Sequence, residues 1–245
     1  MPTAAPNGVE LYYELHGRVG DGLVLVHGYT GDISDWRHQI AAFAPTYRVL
    51  VLDHRGHGRS AAPPEAAAYS IAAMAADVEG MAAHVGLACY HLVGHSMGGA
   101  VAQEVALRGA ASLLSLTLED TSFSFARAEF RSADGPPRLP PERMEEVFAR
   151  LSRMSPEVLR AGWKALASWE GTEHRAAGIR VPTQIVCGAD DAPFIVSGSR
   201  RLAELIAGAR LHILAGAGHC PQEELPEQYN ELLRDFLVAH GGGPR

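Results

Sequence analysis

The chain has 245 residues, of which 47% are hydrophobic, and its formal net charge is −7. This length and composition allow a sizeable core, built as one large α/β domain or two smaller ones. The acidic balance and the lack of a basic cluster argue against a nucleic-acid-binding surface.

The chain shows no signal for export or membrane insertion. Residues 1–10 have neither a basic start nor an apolar stretch, and charged residues interrupt the alanine-rich stretch 71–93. Cys89, Cys187 and Cys220 are too widely spaced to predict a disulfide framework or a zinc site. We therefore expect a cytoplasmic protein that does not bind a membrane.

The first elements predict a sheet that begins near the N-terminus. Residues 9–22 alternate loosely and then enter a glycine-rich turn, which predicts an opening hairpin. Continuous apolar runs at 23–26 and 49–52 predict strands buried on both faces. Between them a helix is predicted to begin at Ser34 or Asp35, either of which can cap it.

A helix and a strand precede the most informative stretch. The helix, which Ser70 can cap, follows from apolar residues repeating at steps of three and four, namely Ile71, Met74, Val78, Met81 and Val85. An apolar run at 90–93 then leads into Gly94-His95-Ser96-Met97-Gly98, and a helical pattern follows over 100–107. A Gly-x-Ser-x-Gly string between strand and helix is typical of a nucleophile elbow, a turn so sharp that side chains at its glycines would collide.

A strand is predicted at 113–118, but residues 123–178 contain no convincing strand. This aromatic-rich segment has a Pro136-Pro137 break and then two helical patterns. A helical insertion between two strands predicts a lid over one end of the sheet. We expect a core domain formed by residues 1–122 and 179–245, and a lid formed by residues 123–178.

The C-terminal part returns to alternating strands and helices. Strands are predicted at 184–187 and 211–214, each followed by a helix, with Pro226 in the first turn of the last one. This alternation predicts an α/β fold, a mainly parallel sheet with helices on both faces.

If Ser96 is a nucleophile, it needs a base, and on such a sheet an acid and then a histidine follow the serine. Of the 12 histidines, those after Ser96 are His174, His212, His219 and His240. His219 lies in a glycine-rich loop directly after the last predicted strand, where a side chain can reach over the strand ends. We therefore predict His219 as the base.

Three carboxyl groups compete for the role of the orienting acid. Asp190 and Asp191 follow the strand that ends at Cys187, and Asp120 follows the strand before the lid. Adjacent residues in an extended turn point apart, so only one of the first two can reach His219. The residues alone leave all three open.

Five segments in order make the chain resemble the α/β-hydrolase family over nearly its whole length. They are residues 25–29 (LVHGY), 53–60 (DHRGHGRS), 94–98 (GHSMG), 188–191 (GADD) and 218–219 (GH). Each is common alone, but the ordered set is highly specific. The resemblance implies that Asp191, three residues after Gly188, is the acid and that Asp190 helps to hold the loop. Asp120 matches an acid position that some members use.

Acyl transfer also needs donors for the developing oxyanion. The elbow supplies the backbone N–H of Met97, and the resemblance puts the second donor on the backbone N–H of Tyr29. The side chains of Tyr29, Phe123 and Trp163 are predicted to contact substrate. Alternatively, Tyr29 only packs against the lid, and Phe123 and Trp163 form a small core within it.

No cofactor and no metal is implied. His54 and His57 are spaced like metal ligands, but no third ligand lies nearby in sequence.

We predict a serine hydrolase that cleaves a small to medium, mostly uncharged carboxylic ester or lactone through an acyl-enzyme. One alternative is a hydrolase of carbon–carbon bonds in β-diketone-like substrates. A second is a cofactor-free lyase similar to the menaquinone-pathway synthase, although the elbow of that family has Tyr and Arg where this chain has His95 and Ala100. A third is a ligand receptor that retains the triad. The sequence leaves open whether the chain forms a homo-oligomer.

Overall fold

The computed structural model describes residues 2–126 and 140–241, which form an eight-stranded, mostly parallel sheet with helices on both faces. The strands are β1 (Thr3–Ala4), β2 (Leu11–His16), β3 (Gly22–Val26), β4 (Arg48–Leu52), β5 (Tyr90–His95), β6 (Leu113–Glu119), β7 (Thr183–Gly188) and β8 (Arg210–Leu214). Their order is β1-β2-β4-β3-β5-β6-β7-β8, with β1 and β2 antiparallel to their neighbours. The predicted α/β fold is confirmed.

The α-helices of the described residues lie between and after these strands. They are α1 (Arg37–Phe43), α2 (Ile71–His84), α3 (Met97–Gly109), α4 (Pro141–Leu151), α5 (Pro156–Ala167), α6 (Pro193–Leu205), α7 (Pro221–Glu224) and α8 (Pro226–His240). Within residues 2–126 and 140–241, no helix combines the length and the apolar character that crossing a bilayer requires.

The predicted opening hairpin is wrong in its pairing. The predicted hairpin would pair β2 with β3, the next strand in the sequence. In the described sheet β2 instead pairs with β1 and with β4, where Tyr13 lies opposite Leu52. β3 instead has parallel partners on both edges, β4 and β5. Because β3 is buried along its whole length, it takes a central position, and the antiparallel strand lies outside β4.

The start of the first helix also differs from the prediction. Asp32 accepts the Ser34 N–H at 2.9 Å and caps a 3₁₀ turn, Ile33–Trp36, and α1 begins only at Arg37. The predicted cap at Ser34 or Asp35 is wrong because the carboxylate of Asp32 satisfies the free N–H group first.

Two hydrophobic clusters enclose the sheet. Along β3, Leu23 and Leu25 join the cluster that includes α1 and α8, whereas Val24 and Val26 join the cluster that includes α2, α3 and α6. Successive strand residues face opposite sides, so a continuous apolar strand contributes to both. This packing fixes the carboxyl ends of the parallel strands at one edge.

Helices α4 and α5 lie between β6 and β7 in sequence, within the predicted lid. Residues 127–139 of that segment, with Phe130 and the Pro136-Pro137 break, lie outside the described residues. α5 contacts the loop after β3, because the Tyr29 hydroxyl donates to the Leu159 carbonyl at 2.8 Å.

Helix α4 is held to the core by a buried ion cluster. Asp35 lies between the guanidinium groups of Arg143 and Arg150, with Arg150 at 2.7 Å, and Arg143 also binds Glu223 of α7. These four side chains are at most 8% exposed. The Asp35 cluster therefore joins α4, the loop after β3 and α7.

Candidate active site

The sharp turn between β5 and α3 carries Ser96. Its φ is +53°, in the left-handed region that a non-glycine residue enters at a conformational cost. A Cβ on Gly94 would collide with the Gly98 carbonyl, and one on Gly98 would collide with the Val26 carbonyl. The glycines thus permit a turn that presents the Ser96 hydroxyl at the carboxyl end of a central strand.

Three non-glycine residues with a strained backbone lie at the edge of the sheet where the parallel strands have their carboxyl ends. Of the described residues other than glycine, Thr30, Ser96 and Asp120 have positive φ, at +64°, +53° and +39°. They follow the carboxyl ends of β3, β5 and β6. Ligands of open α/β sheets bind at this edge, and strained residues cluster at functional sites.

Three side chains form a hydrogen-bonded series from Ser96 to Asp191. His219 Nε2 lies 3.1 Å from Ser96 Oγ, and His219 Nδ1 lies 2.7 Å from Asp191 Oδ2. A carboxylate only accepts, so Nδ1 carries the proton and the Nε2 lone pair faces the hydroxyl. Such a series can remove the hydroxyl proton while the oxygen attacks a carbonyl.

Asp191 is held as a carboxylate. Its side chain is 4% exposed, and Oδ1 accepts the Ala192 N–H at 2.6 Å. Burial alone would raise the pKa of Asp191, but the hydrogen bond and the charge of His219 bring that pKa below its usual value. The acid is therefore ionised and oriented at neutral pH.

A glutamate of α7 holds the backbone on both sides of His219. The Gly218 N–H donates to Glu224 Oε2 at 2.8 Å, and the Cys220 N–H donates to Glu224 Oε1 at 3.0 Å. One carboxylate thus fixes the direction in which the loop presents its imidazole.

His95, directly before Ser96, holds the same loop from the other side. Its Nε2 lies 2.7 Å from the His219 carbonyl oxygen, which can only accept, so Nε2 donates. Burial and then the proximity of His219 lower the pKa of His95 to about 4. His95 is therefore neutral at pH 7 and adds no positive charge beside Ser96.

The two predicted oxyanion donors are free to bind a ligand. No hydrogen bond between described residues uses the backbone N–H of Tyr29 or of Met97. The loop after β3 approaches the elbow so closely that a Cβ on Gly28 would lie 3.1 Å from Ser96 Cβ. Both N–H groups therefore belong to segments that flank the Ser96 hydroxyl.

The three candidate acids occupy different environments. Asp191 contacts His219, whereas the Asp190 side chain is exposed and its N–H joins two loops by donating to the Ala217 carbonyl at 2.9 Å. Asp120 is fully buried after β6, and its Oδ1 accepts the Gly188 N–H at 2.9 Å.

The aromatic residues in and beside the predicted lid have different surroundings. The Tyr29 and Trp163 ring centroids are 6.0 Å apart, which joins the loop after β3 to α5. Phe125 and Trp169 are buried against each other and belong to the core. Phe123 is half-buried, and no ring contact between described residues includes it.

His54 and His57 pack with His27 behind the loop that carries Tyr29. Their ring centroids lie 4.7 Å and 5.3 Å from that of His27. Burial lowers the pKa of His57 to about 4 and that of His27 to about 3. Among the described residues, the set of three potential metal ligands within 4.8 Å of one another is Asp120, Cys187 and Asp191, and includes no histidine.

Two contacts of the site were not predicted from the sequence. The contact of Glu224 had a weak signal in the sequence, because Glu224 is an acidic residue shortly after His219. His95 gave none, because its bond to a carbonyl more than a hundred residues away depends on the folded loops.

Comparison with known proteins agrees with this geometry. The family model of the alpha/beta hydrolase family matches residues 23–232. The chain is 31% identical over 266 residues to a putative carbamate hydrolase RutD from Azorhizobium caulinodans, covering 96% of this chain and 98% of that protein. It is also 31% identical over 252 residues to the dihydrolipoyllysine-residue acetyltransferase component of the acetoin cleaving system from Pseudomonas putida, covering 94% of this chain and 66% of that protein.

A solved structure of the enol-lactonase from Burkholderia xenovorans superimposes with a TM-score of 0.85 at 28% identity, covering 97% of this chain and 100% of that one. The family match extends over most of the chain and confirms the predicted resemblance. The protein belongs to the α/β hydrolase family.

Proposed function

We propose that this α/β hydrolase is a serine hydrolase that cleaves a small to medium, mostly uncharged carboxylic ester or lactone. The observation that carries the proposal is the series Ser96–His219–Asp191, with contacts of 3.1 Å and 2.7 Å. The free N–H groups of Tyr29 and Met97 support an oxyanion hole.

In the proposed reaction, Ser96 Oγ bonds to the carbonyl carbon while its proton moves to His219 Nε2. The carbonyl electron pair moves onto oxygen, where the two backbone N–H groups bind it. The bond to the leaving oxygen then breaks, and that oxygen takes the proton from Nε2. Water attacks the acyl-enzyme by the same steps and releases the acid.

Esters and lactones are favoured because one of the structural relatives is an enol-lactonase, whose structure covers 97% of this chain. Carbamates are a second candidate, favoured by a relative named as a putative carbamate hydrolase that matches over nearly its full length. Esters, lactones and carbamates all present a carbonyl carbon to the same nucleophile, and they differ in the substituents that this carbon carries.

Residues 123–178 act as the lid in this proposal. Contacts of Tyr29 with Leu159 and Trp163 bring α5 to the loop that supplies one oxyanion donor. Tyr29, Trp163 and Phe123 are then the residues to test for substrate contact. The expected partner is a small molecule.

The test combines covalent labelling with a substrate panel. A fluorophosphonate probe should label Ser96, found by peptide mass spectrometry, and Ser96→Ala should abolish both labelling and ester turnover while leaving the melting temperature nearly unchanged. Ser197→Ala, at an exposed serine of α6, is the matched control and should retain both.

Turnover of p-nitrophenyl esters, aliphatic lactones, N-alkyl carbamates and β-diketones then ranks the substrate classes. Labelling of another residue, or more than a few per cent activity in Ser96→Ala, would overturn the nucleophile assignment. Activity confined to β-diketones would overturn the ester and lactone class.

A further inference from the structure

The end of β6 joins the elbow to the strand that carries Asp191. The Ser96 N–H donates to the Glu119 carbonyl at 2.9 Å, and the Thr121 hydroxyl donates to the Ser96 carbonyl at 2.7 Å. Between these two residues, Asp120 binds the Gly188 N–H at the end of β7. One tripeptide therefore fixes the nucleophile and the acid loop together.

Asp120 does not use its second carboxyl oxygen in this arrangement. Its side chain is fully buried, and Oδ2 has no hydrogen-bond partner among the described residues. The nearest carboxyl oxygens of Asp120 and Asp191 lie within 4.8 Å of each other, with Cys187 Sγ beside them. The φ of +39° adds backbone strain at Asp120.

Two carboxylates cannot both be charged in such a place. Asp120 is fully buried, and among the ion pairs of the described residues it is Asp191, not Asp120, that has a partner, His219. Within the described part of the chain, no cation therefore offsets a second negative charge on Asp120. Burial and then repulsion from Asp191 raise the pKa of Asp120 well above its usual value. The other neighbours do not reverse this, since burial also raises the pKa of Glu119 and of the Cys187 thiol.

We propose that Asp120 is a positioning residue whose protonated carboxyl donates a hydrogen bond from Oδ2 to the Asp191 carboxylate and holds that carboxylate toward His219. This inference rests on the proposed function, because it gives Asp120 a role in the same relay. Asp191 then has three donors: His219 Nδ1–H, the Ala192 N–H and the Asp120 O–H.

The donated hydrogen bond has a consequence for catalysis. It draws negative charge away from Asp191, so Asp191 holds the imidazole in place without binding a proton too tightly. Without it, the carboxylate becomes more basic and favours the protonated, inactive imidazole at a higher pH. The acid limb of the kcat/KM profile should then move to higher pH.

Infrared spectroscopy tests the protonation state without reference to activity. The difference spectrum of wild type minus Asp120→Asn at pH 7 should contain the carbonyl stretch of a protonated carboxyl group, because asparagine removes that group alone. A difference spectrum with only ionised-carboxylate bands would overturn the proposal. Asp190→Asn, at the exposed neighbour, is the control and should remove only carboxylate bands.

Kinetics test the role. Asp120→Asn keeps an acceptor for Gly188 and a donor for Asp191, so kcat should stay within about threefold of wild type. Asp120→Leu roughly keeps the size but removes both the donor to Asp191 and the acceptor for the Gly188 N–H. It should lower kcat by about 10-fold or more, and the loss of the donor should move the acid limb up by roughly half a pH unit.

The outcomes separate this inference from the proposed function. If Asp120→Asn loses activity as severely as Asp191→Asn, Asp120 is itself the orienting acid and the proposal fails. If Asp120→Leu folds and its acid limb does not move, Asp120 has only a structural role. If Asp120→Leu does not fold, the infrared spectrum and Asp120→Asn still decide. Failure of Ser96→Ala to lose activity would instead overturn the proposed function.

Discussion

At the scale of single residues, the site depends on how neighbouring side chains with the same chemistry are placed. Asp190 and Asp191 are adjacent carboxylates after β7, yet Asp190 is exposed, whereas the side chain of Asp191 is only 4% exposed and contacts His219. Sequence reasoning narrowed the acid to three residues, and only the family resemblance favoured Asp191. Which carboxylate meets the imidazole depends on loop geometry that no local pattern encodes.

Asp191→Asn should lower kcat by about 10³- to 10⁴-fold, because an amide that donates to His219 Nδ1 stabilises the wrong tautomer. Asp190→Asn is the matched control and should stay within a few-fold of wild type. Steady-state kinetics with the best ester from the panel, and circular dichroism for folding, provide the measurement. A larger loss in Asp190→Asn than in Asp191→Asn would contradict the assignment.

Glu224→Gln should lower kcat by roughly 10-fold, because glutamine offers one acceptor to two backbone N–H groups and leaves one of them unpaired. KM should change little, since Glu224 acts through His219 rather than on the substrate. The control is Glu227→Gln, at an exposed glutamate in the first turn of α8. Equal rates in the two variants would show that the loop keeps its shape without the Glu224 carboxylate.

At the scale of elements, the strands and helices were largely predictable because their apolar periodicity is local. Ser70 caps α2 as predicted, since its hydroxyl accepts the Ala73 N–H at 3.0 Å. The pairing of β2 with β4 was not predictable, because it joins strands separated by β3. The bond between Tyr29 and α5 was equally hidden, since it connects residues 130 positions apart.

Trp163→Ala should change the ratio of kcat/KM between short and long acyl esters if α5 lines the acyl pocket. One methylene in an apolar pocket is worth roughly 1–3 kcal/mol, so the ratio should move by about 10-fold. The measurement is kcat/KM from acetate to octanoate, together with the melting temperature. Trp169→Ala is the matched control, because Trp169 packs on Phe125 in the core and should alter stability instead.

A uniform fall across all chain lengths in Trp163→Ala, with a lower melting temperature, would assign Trp163 to packing alone. In that case, any contact between the predicted lid and the substrate would have to come from other residues of 123–178.

At the scale of the whole molecule, buried neutral histidines make stability depend on pH. Burial lowers the pKa of His57, His91 and His95 to about 4 and that of His27 to about 3. An unfolded histidine has a pKa of about 6.5, so between these values the unfolded chain binds more protons than the folded one. Stability is therefore fully present above about pH 6.5 and is lost as the pH falls toward 4.

The free energy of unfolding should fall between pH 7 and pH 5 by up to about 1.4 kcal/mol per pH unit for each such histidine. His91→Asn should recover roughly 1–2 kcal/mol of that loss, because His91 lies in the core away from the site and asparagine does not titrate. Urea unfolding at the two pH values measures it. His174→Asn, at an exposed histidine, should recover nothing; an equal recovery would refute the assignment to buried histidines.

The Asp35 cluster determines whether the predicted lid, residues 123–178, can be exchanged between members of the family. Transplanting residues 123–178 from a relative would remove Arg143 and Arg150 but leave Asp35 and Glu223 in the recipient core. A buried carboxylate without its partner costs about 3–5 kcal/mol, a large part of the stability of a domain this size. A functional graft must therefore carry the loop after β3 and helix α7 with it, so the unit that evolution or a protein engineer can replace is discontinuous in sequence.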